Sequence, residues 1–247
     1  MTNHRVVITG IGVIAPNGVG RVEFENSLRS GHSGIKFFEK SKTLNFKCQI
    51  AGKPNITSNY KQIYFDDYYQ YKLKNKAIIY GCLSGLEAWK DAGLKKNHDL
   101  VDYESGMIFG SGALAMDSFN QKTVETILEG KSRRLGSSII PQSMSSGAAA
   151  YLNKILGLGN RILSNSSACI TGSESILLGF EHLKLGKAKR MLCGSTEGDG
   201  ILIWGAFDPM RILTSDSNDM PQRGSRPLCK TSLGFVPGGG SGALVLE

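Results

Sequence analysis

A thiol at the joint between a short apolar strand and a long helix can serve as a nucleophile, and Cys169 occupies such a joint. Arg161 to Leu163 read as a strand, and Ser167, Ala168 and Gly172 beside the thiol are small enough to let a substrate approach. From Ile176 onward, Ile176, Leu177, Phe180 and Leu183 follow helical spacing, which predicts a helix that buries this face and holds the thiol rigidly. The positive end of a helix favours thiolate over thiol, and thiolate is the form that attacks a carbonyl carbon. The chemistry on offer is covalent catalysis through a thioester. A cysteine that merely fills a core as a small apolar group fits the same local pattern.

The other candidates are weaker. Cys48, Cys82, Cys193 and Cys229 complete an odd set of five, widely spaced and without a C-x-x-C pair. A disulfide framework or zinc site is therefore not expected, and a reducing cytoplasm fits. Cys193 lies in an apolar strand and reads as core. The histidines, His4, His32, His98 and His182, fall in a leader to the first strand, a turn, a lysine-rich loop and a helix. Each reads as a surface or structural residue rather than a base. Gly10-Ile-Gly12 and Gly110-Ser-Gly112 imitate a dinucleotide fingerprint. The first runs into the turn residues Pro16-Asn17-Gly18, and the second is followed by no acid placed to hold a ribose. Neither a cofactor nor a metal is expected.

The elements that must position Cys169 alternate in type. Strands are expected at Arg5 to Gly10 (buried), Gly106 to Gly110, Arg161 to Leu163, Lys189 to Gly194 and Leu244 to Leu246. Helices are expected at Val22 to Ser30, Tyr68 to Ala92 (closed by Gly93), Ala115 to Leu128, Met144 to Leu156 and after Cys169. Phe37 to Tyr64 reads as irregular. Alternation of this kind predicts an α/β fold with a parallel-type layered sheet, and residues 1 to 247 read as one domain. Trp204 and Phe207 suit a core, and Pro237 to Gly242 a tight turn beside the site.

The chain carries 29 basic and 21 acidic residues, a net charge of +8. Its basic clusters lack interleaved aromatics, so nucleic acid is not expected, and an acidic protein partner is the better match. No run of eighteen apolar residues occurs, so no membrane span is expected, and the first strand begins too early to leave room for a signal peptide.

Six blocks occur in order: Val6 to Gly18, Ser33-Gly-Ile35, Gly110-Ser-Gly112, Ser166-Ser-Ala-Cys-Ile-Thr-Gly172, Ser225-Arg-Pro227 and Gly234 to Glu247. Together they resemble the β-ketoacyl-acyl-carrier-protein synthases, condensing enzymes of the thiolase superfamily, from Arg5 to Glu247. The resemblance implies a thiolase-like layered fold, of which this chain would be one α/β half. It implies that Cys169 carries the acyl chain and that its backbone N–H donates to the oxyanion. It places Gly110 and Gly112 along the acyl channel, Phe207 at the pocket wall and Arg211 near the channel mouth. Arg211, Lys184 and Lys187 would then dock an acyl carrier protein, an acidic helical bundle. A homodimer across the Arg161 to Ser164 strand is also implied. The family's two histidines and lysine belong to a second half, so the chain is expected to be an N-terminal half that is inactive alone.

The implied reaction is decarboxylative Claisen condensation of an acyl thioester with a malonyl-carrier, in fatty acid or polyene and polyketide synthesis. A non-catalytic partner resembling a chain-length factor is the competing reading. The family pattern carries acids where this chain has Cys229, Leu233 and Gly239, so the hydrogen bonding there must differ. That departure leans toward a specialised branch, for which bacterial aryl-polyene synthesis is one candidate.

Overall fold

The computed structural model describes residues 4–96, 100–117 and 121–247, which leaves His98 outside the described residues. Strands β1 (Ile8–Ala15) and β2 (Gly18–Val19) form a hairpin around Pro16 and Asn17 and lead into α1 (Arg21–Arg29). Next come β3 (Ile35–Phe37), α2 (Glu39–Thr43), β4 (Ile50–Gly52), α3 (Ser58–Tyr64), α4 (Asp67–Lys72) and α5 (Lys76–Asp91). The chain continues through β5 (Ser105–Gly110), α6 (Gln121–Leu128), α7 (Gly147–Leu156), β6 (Ile162–Leu163) and α8 (Thr171–Lys184). It ends with β7 (Arg190–Glu197), α9 (Ile201–Phe207) and β8 (Gly240–Leu246).

The main sheet has the order β2-β1-β8-β7-β5-β6, and β3 pairs with β4 separately. The expected α/β layering is present, but the sheet is mixed rather than parallel. Strands β5, β6 and β7 run parallel, whereas β8 is antiparallel to both β7 and β1. The chain between α9 and β8 contains only 3-10 turns, and without a long crossover helix the last strand returns in the opposite direction. On one sheet face α5 and α7 build the larger core around Ile78, Leu83, Phe109, Leu152 and Val245. On the other face α8 packs over Ile108, Met191, Cys193 and Leu246.

Several boundaries differ from the sequence expectation for identifiable reasons. The apolar run at Arg5 to Gly10 is not a buried strand: β1 begins at Ile8, and Val7 and Ile8 are exposed. The expected helix from Tyr68 to Ala92 is two helices. Asn75 caps α5 by accepting from the Ile78 N–H, and Gln142 accepts from the N–H groups of Lys74 and Asn75. An asparagine that satisfies a new helix start competes with continuing the old one. Gly93 does close α5, with φ +72° and the Leu94 N–H donating to Trp89. Helix α7 starts three residues later than expected. Of Ala115 to Leu128, a 3-10 turn over Leu114–Asp117 and α6 stand in place of one helix, with residues 118–120 outside the described residues. Phe37 to Tyr64 holds the β4 strand and helices α2 and α3.

The first glycine motif has a packing role. A Cβ at Gly12 would run into the Ser84 carbonyl oxygen on α5, so a bare backbone is what lets α5 lie against β1. Gly12→Ala is expected to destabilise the chain by roughly 2–3 kcal/mol, as overpacking against immovable backbone does. Urea unfolding of the variant checks this, and an unchanged midpoint would refute it.

Candidate active site

The carboxyl ends of β5, β6 and β7 lie side by side, the position where open α/β sheets receive ligands. Cys169 emerges there, exposed, in the 3-10 turn Ala168–Ile170 that feeds α8. As the second residue of that turn its N–H lies ahead of the first intrahelical bond, which the Ile170 N–H makes to Ser167. Ala168 has φ +50°, a left-handed conformation that costs a residue with a side chain about 1 kcal/mol or more and must be held by its surroundings.

The surroundings do hold it. Thr171 Oγ1 donates to the Ala168 carbonyl at 2.7 Å and accepts from the Ser167 N–H at 2.9 Å. The Glu174 carboxylate accepts from Asn165 Nδ2 at 3.0 Å and from the Ser167 hydroxyl. These bonds hold the Glu174 carboxyl below the usual glutamate range, Asn165 contributing most. Ser175 Oγ bonds to Asn165 Oδ1 at 2.8 Å and to the Gly194 carbonyl at 3.0 Å, fastening the turn to β7. Asn165, Thr171, Glu174 and Ser175 carry no expected role in the sequence reading. Their polar types at positions 165, 171, 174 and 175 signal a capping network only once the turn's shape is known.

Helix α8 meets the sheet through only part of the face the apolar spacing picks out, with Ile176 and Leu183 packed on it. Its buried residues are Thr171, Ser175, Gly179, His182 and Leu183, while Leu177 and Phe180 are exposed. Small residues win because the helix sits so close that a Cβ at Gly179 would strike Cys193 Sγ. His182 is structural, with Nε2 3.0 Å from Asn160 Oδ1, and burial together with Arg161 and Lys187 moves its pKa down.

The glycines divide. Gly112 is exposed beside Ala168. Gly110, expected to line a channel with it, is buried, and a Cβ there would strike the Asn165 carbonyl and the Thr171 methyl. Its missing side chain makes room for the turn that carries Cys169 rather than for an acyl chain. The 111–113 loop is held by Glu197 at the end of β7, which accepts from the Gly112 and Ala113 N–H groups. Burial raises the Glu197 pKa against the pull of those bonds.

Phe207 is half-buried at the end of α9, edge-on to Phe235 at 5.6 Å between centroids and packed with Cys48, Ile50 and Leu213. Trp204 and Cys193 lie in the core, as expected. Beyond Glu197, the Asp199 side chain is only 1% exposed, and Lys76 Nζ and Lys53 Nζ lie 2.9 Å and 3.5 Å from its oxygens. A Cβ at Gly239 would come within 2.8 Å of Asp199 Cβ. The neutral glycine turn therefore abuts a buried acid supplied by the chain after β7.

The basic residues do not converge. Arg211 is exposed in a left-handed turn after α9, past the carboxyl end of β7, whereas Lys184 ends α8 at its far end and Lys187 follows it. A helix of 14 residues spans about 21 Å, which separates Lys184 from the Cys169 end. Lys189 is paired with Glu104, and Arg190 with Asp102 and Glu247.

The sequence model described as "Beta-ketoacyl synthase, N-terminal domain" matches residues 3–247. The chain belongs to the β-ketoacyl synthase family. It is 34% identical to 3-oxoacyl-[acyl-carrier-protein] synthase 1 of Buchnera aphidicola subsp. Schizaphis graminum, covering 98% of this chain and 59% of that protein. A β-ketoacyl synthase from Burkholderia phymatum superposes with a TM-score of 0.84 at 26% identity, covering 98% of this chain and 59% of the other. A type II PKS acyl-carrier protein in complex with its ketosynthase bound to the hexaketide also gives 0.84 at 26% identity, covering 100% of this chain and 58% of the other. The layered thiolase-like fold is thus the family's. The chain spans about 59% of the length of the curated synthase above, consistent with an N-terminal half. Among the described residues no helix is long and apolar enough to cross a membrane.

Proposed function

We propose that this chain carries the nucleophile of a 3-oxoacyl-[acyl-carrier-protein] synthase. The observation that carries this reading is the exposed Cys169 thiol, held by a bonded turn at the converging ends of three parallel strands. In the first half-reaction the Cys169 thiolate attacks the carbonyl carbon of an acyl-carrier thioester. The new C–S bond forms, the carrier's thiol leaves with a proton, and Cys169 holds the acyl group. In the second, a malonyl-carrier loses carbon dioxide, and the resulting carbanion attacks the Cys169 thioester. A C–C bond forms, the Cys169 thiolate departs, and a 3-oxoacyl-carrier is released. Splitting the transfer in two lowers each barrier, and the Cys169 N–H would stabilise oxyanion charge. Gly112 supplies bare backbone beside the turn, and Phe207 with Phe235 forms an apolar wall for the chain. The histidines and lysine that drive decarboxylation would come from the further length that relatives possess, so this stretch alone is expected to load but not to condense.

The test is mass spectrometry after incubation with an acyl-carrier thioester. An acyl mass on the Cys169 peptide supports the synthase. A folded chain that never acquires it would favour the chain-length-factor-like reading. Charge reversal at Arg211 should slow this loading several-fold at low salt and less at high salt, because rim charges act chiefly through steering. Reversal at Lys184 and Lys187, at the other end of α8, should do less.

Two further features support assembly and location. Strand β6 is the exposed edge of the sheet, with Leu163 39% accessible, and an unpaired apolar edge invites a partner strand. A twofold copy paired across residues 161–164 would cover it. Light scattering should give twice the 26.7 kDa chain mass, and a stable monomer would refute the pairing. All five cysteines are free, which supports a reducing compartment such as the cytoplasm.

A further inference from the structure

We propose that the cleft framed by Thr214, Ser217, Arg223, Arg226, Thr231 and Ser232 is a binding site for the phosphate group of a phosphate ester. The cleft holds about 180 Å³, room for one phosphate group and the start of its ester. It stands apart from the nucleophile turn, in the chain between α9 and β8.

One donor in the cleft lining is unmet. Arg226 Nε is shut off from solvent and has no hydrogen-bond partner. A buried guanidinium N–H left without an acceptor is costly, so a ligand that brings an acceptor to it gains from that bond. Among the described residues neither Arg223 nor Arg226 forms an ion pair with a carboxylate, which leaves both charges open to an anion. The planar guanidinium matches a tetrahedral oxyanion bidentately, and four hydroxyl side chains on the cleft wall can fill the remaining acceptor sites. One acid also lines the cleft: Asp216, which accepts from Ser215 Oγ at 3.1 Å. The two arginines outnumber it, so the lining stays net positive.

The cleft is also mechanically connected. The Thr214 N–H donates to the Phe235 carbonyl at 3.0 Å, and Leu213 beside it packs in the cluster that includes Phe207. An anion bound at Arg226 would therefore brace the segment behind the Phe207–Phe235 stack. A free phosphate monoester and the phosphodiester of a carrier's prosthetic arm present the same oxyanion chemistry.

Calorimetric titration of the intact chain with inorganic phosphate, at constant ionic strength set by chloride, tests the site. Saturable binding is expected, weakened tenfold or more by Arg226→Gln and much less by Arg226→Lys. Equal affinity in wild type and Arg226→Gln, or no saturable binding to folded wild type, would overturn the proposal. Should Arg226→Gln fail to fold by circular dichroism, Thr231→Ala takes its place: weaker binding supports the site, and unchanged affinity overturns it. Diethyl phosphate separates the sources. Binding comparable to that of inorganic phosphate assigns the site to a phosphodiester arm, and binding of inorganic phosphate alone assigns it to a free monoester. The readout is independent of Cys169, so its failure leaves the condensation reading intact.

Discussion

Cys169→Ala is expected to leave no acyl adduct on the chain and, in a protein of its relatives' full length, to lower condensation by roughly 10⁴-fold or more, as loss of a covalent nucleophile does. The other four thiols explain why no substitute exists. Cys48, Cys82 and Cys193 are buried, and burial pushes each thiol up, Cys193 to about 12. Few of these would be ionised at neutral pH, and none can meet a carrier-bound substrate. Cys229 is the real competitor. It is exposed, and the hydrogen bond with Thr231, with Arg226 nearby, moves its pKa down. Reactivity toward a small alkylating reagent is thus expected at both Cys169 and Cys229. Position separates them, because only Cys169 sits where strands β5, β6 and β7 end together. Cys229→Ala should keep full acyl loading. If Cys169→Ala still loaded acyl groups while Cys229→Ala did not, the nucleophile assignment would be wrong.

The double change Lys53→Met with Lys76→Met should cost about 3–5 kcal/mol, the penalty of a buried carboxylate stripped of its partners. Asp199 is that carboxylate, and both ammonium groups within 4 Å of it come from remote segments, one after β4 and one at the start of α5. Lys53 is doubly placed, since its ammonium also lies 4.5 Å from the centre of the Phe38 ring. Lys76→Met alone should cost less, about 1–2 kcal/mol, because Lys53 remains to offset the charge. At this chain length the double variant should melt roughly 10 °C lower. Adding Asp199→Asn should restore much of the loss by removing the stranded charge. A double variant as stable as wild type would show that Asp199 is not held by these lysines.

The sequence by itself determined the parts governed by local chemistry and short-range order. The small residues around Cys169 and the helix after it marked the turn where that thiol is exposed, Gly93 marked the end of α5, and six ordered blocks marked the family. Those signals are legible because caps, turns and periodicity act over a few residues. Tertiary structure decided what depends on separation across the fold. Apolar spacing on α8 pointed to Ile176, Leu177, Phe180 and Leu183 as the buried face, and Ile176 and Leu183 do pack on the sheet, yet the close approach to β7 put Ser175 and Gly179 where Leu177 and Phe180 were expected. Gly12 and Gly110 looked alike in sequence, and only the backbone lying against each showed that one admits α5 and the other the Cys169 turn. Lys184 and Arg211 belonged to one charge count until the length of α8 set them apart. Asp199 gave no sequence signal at all, because its partners lie 123 and 146 residues away and a contact between such distant positions exists only once the chain has folded.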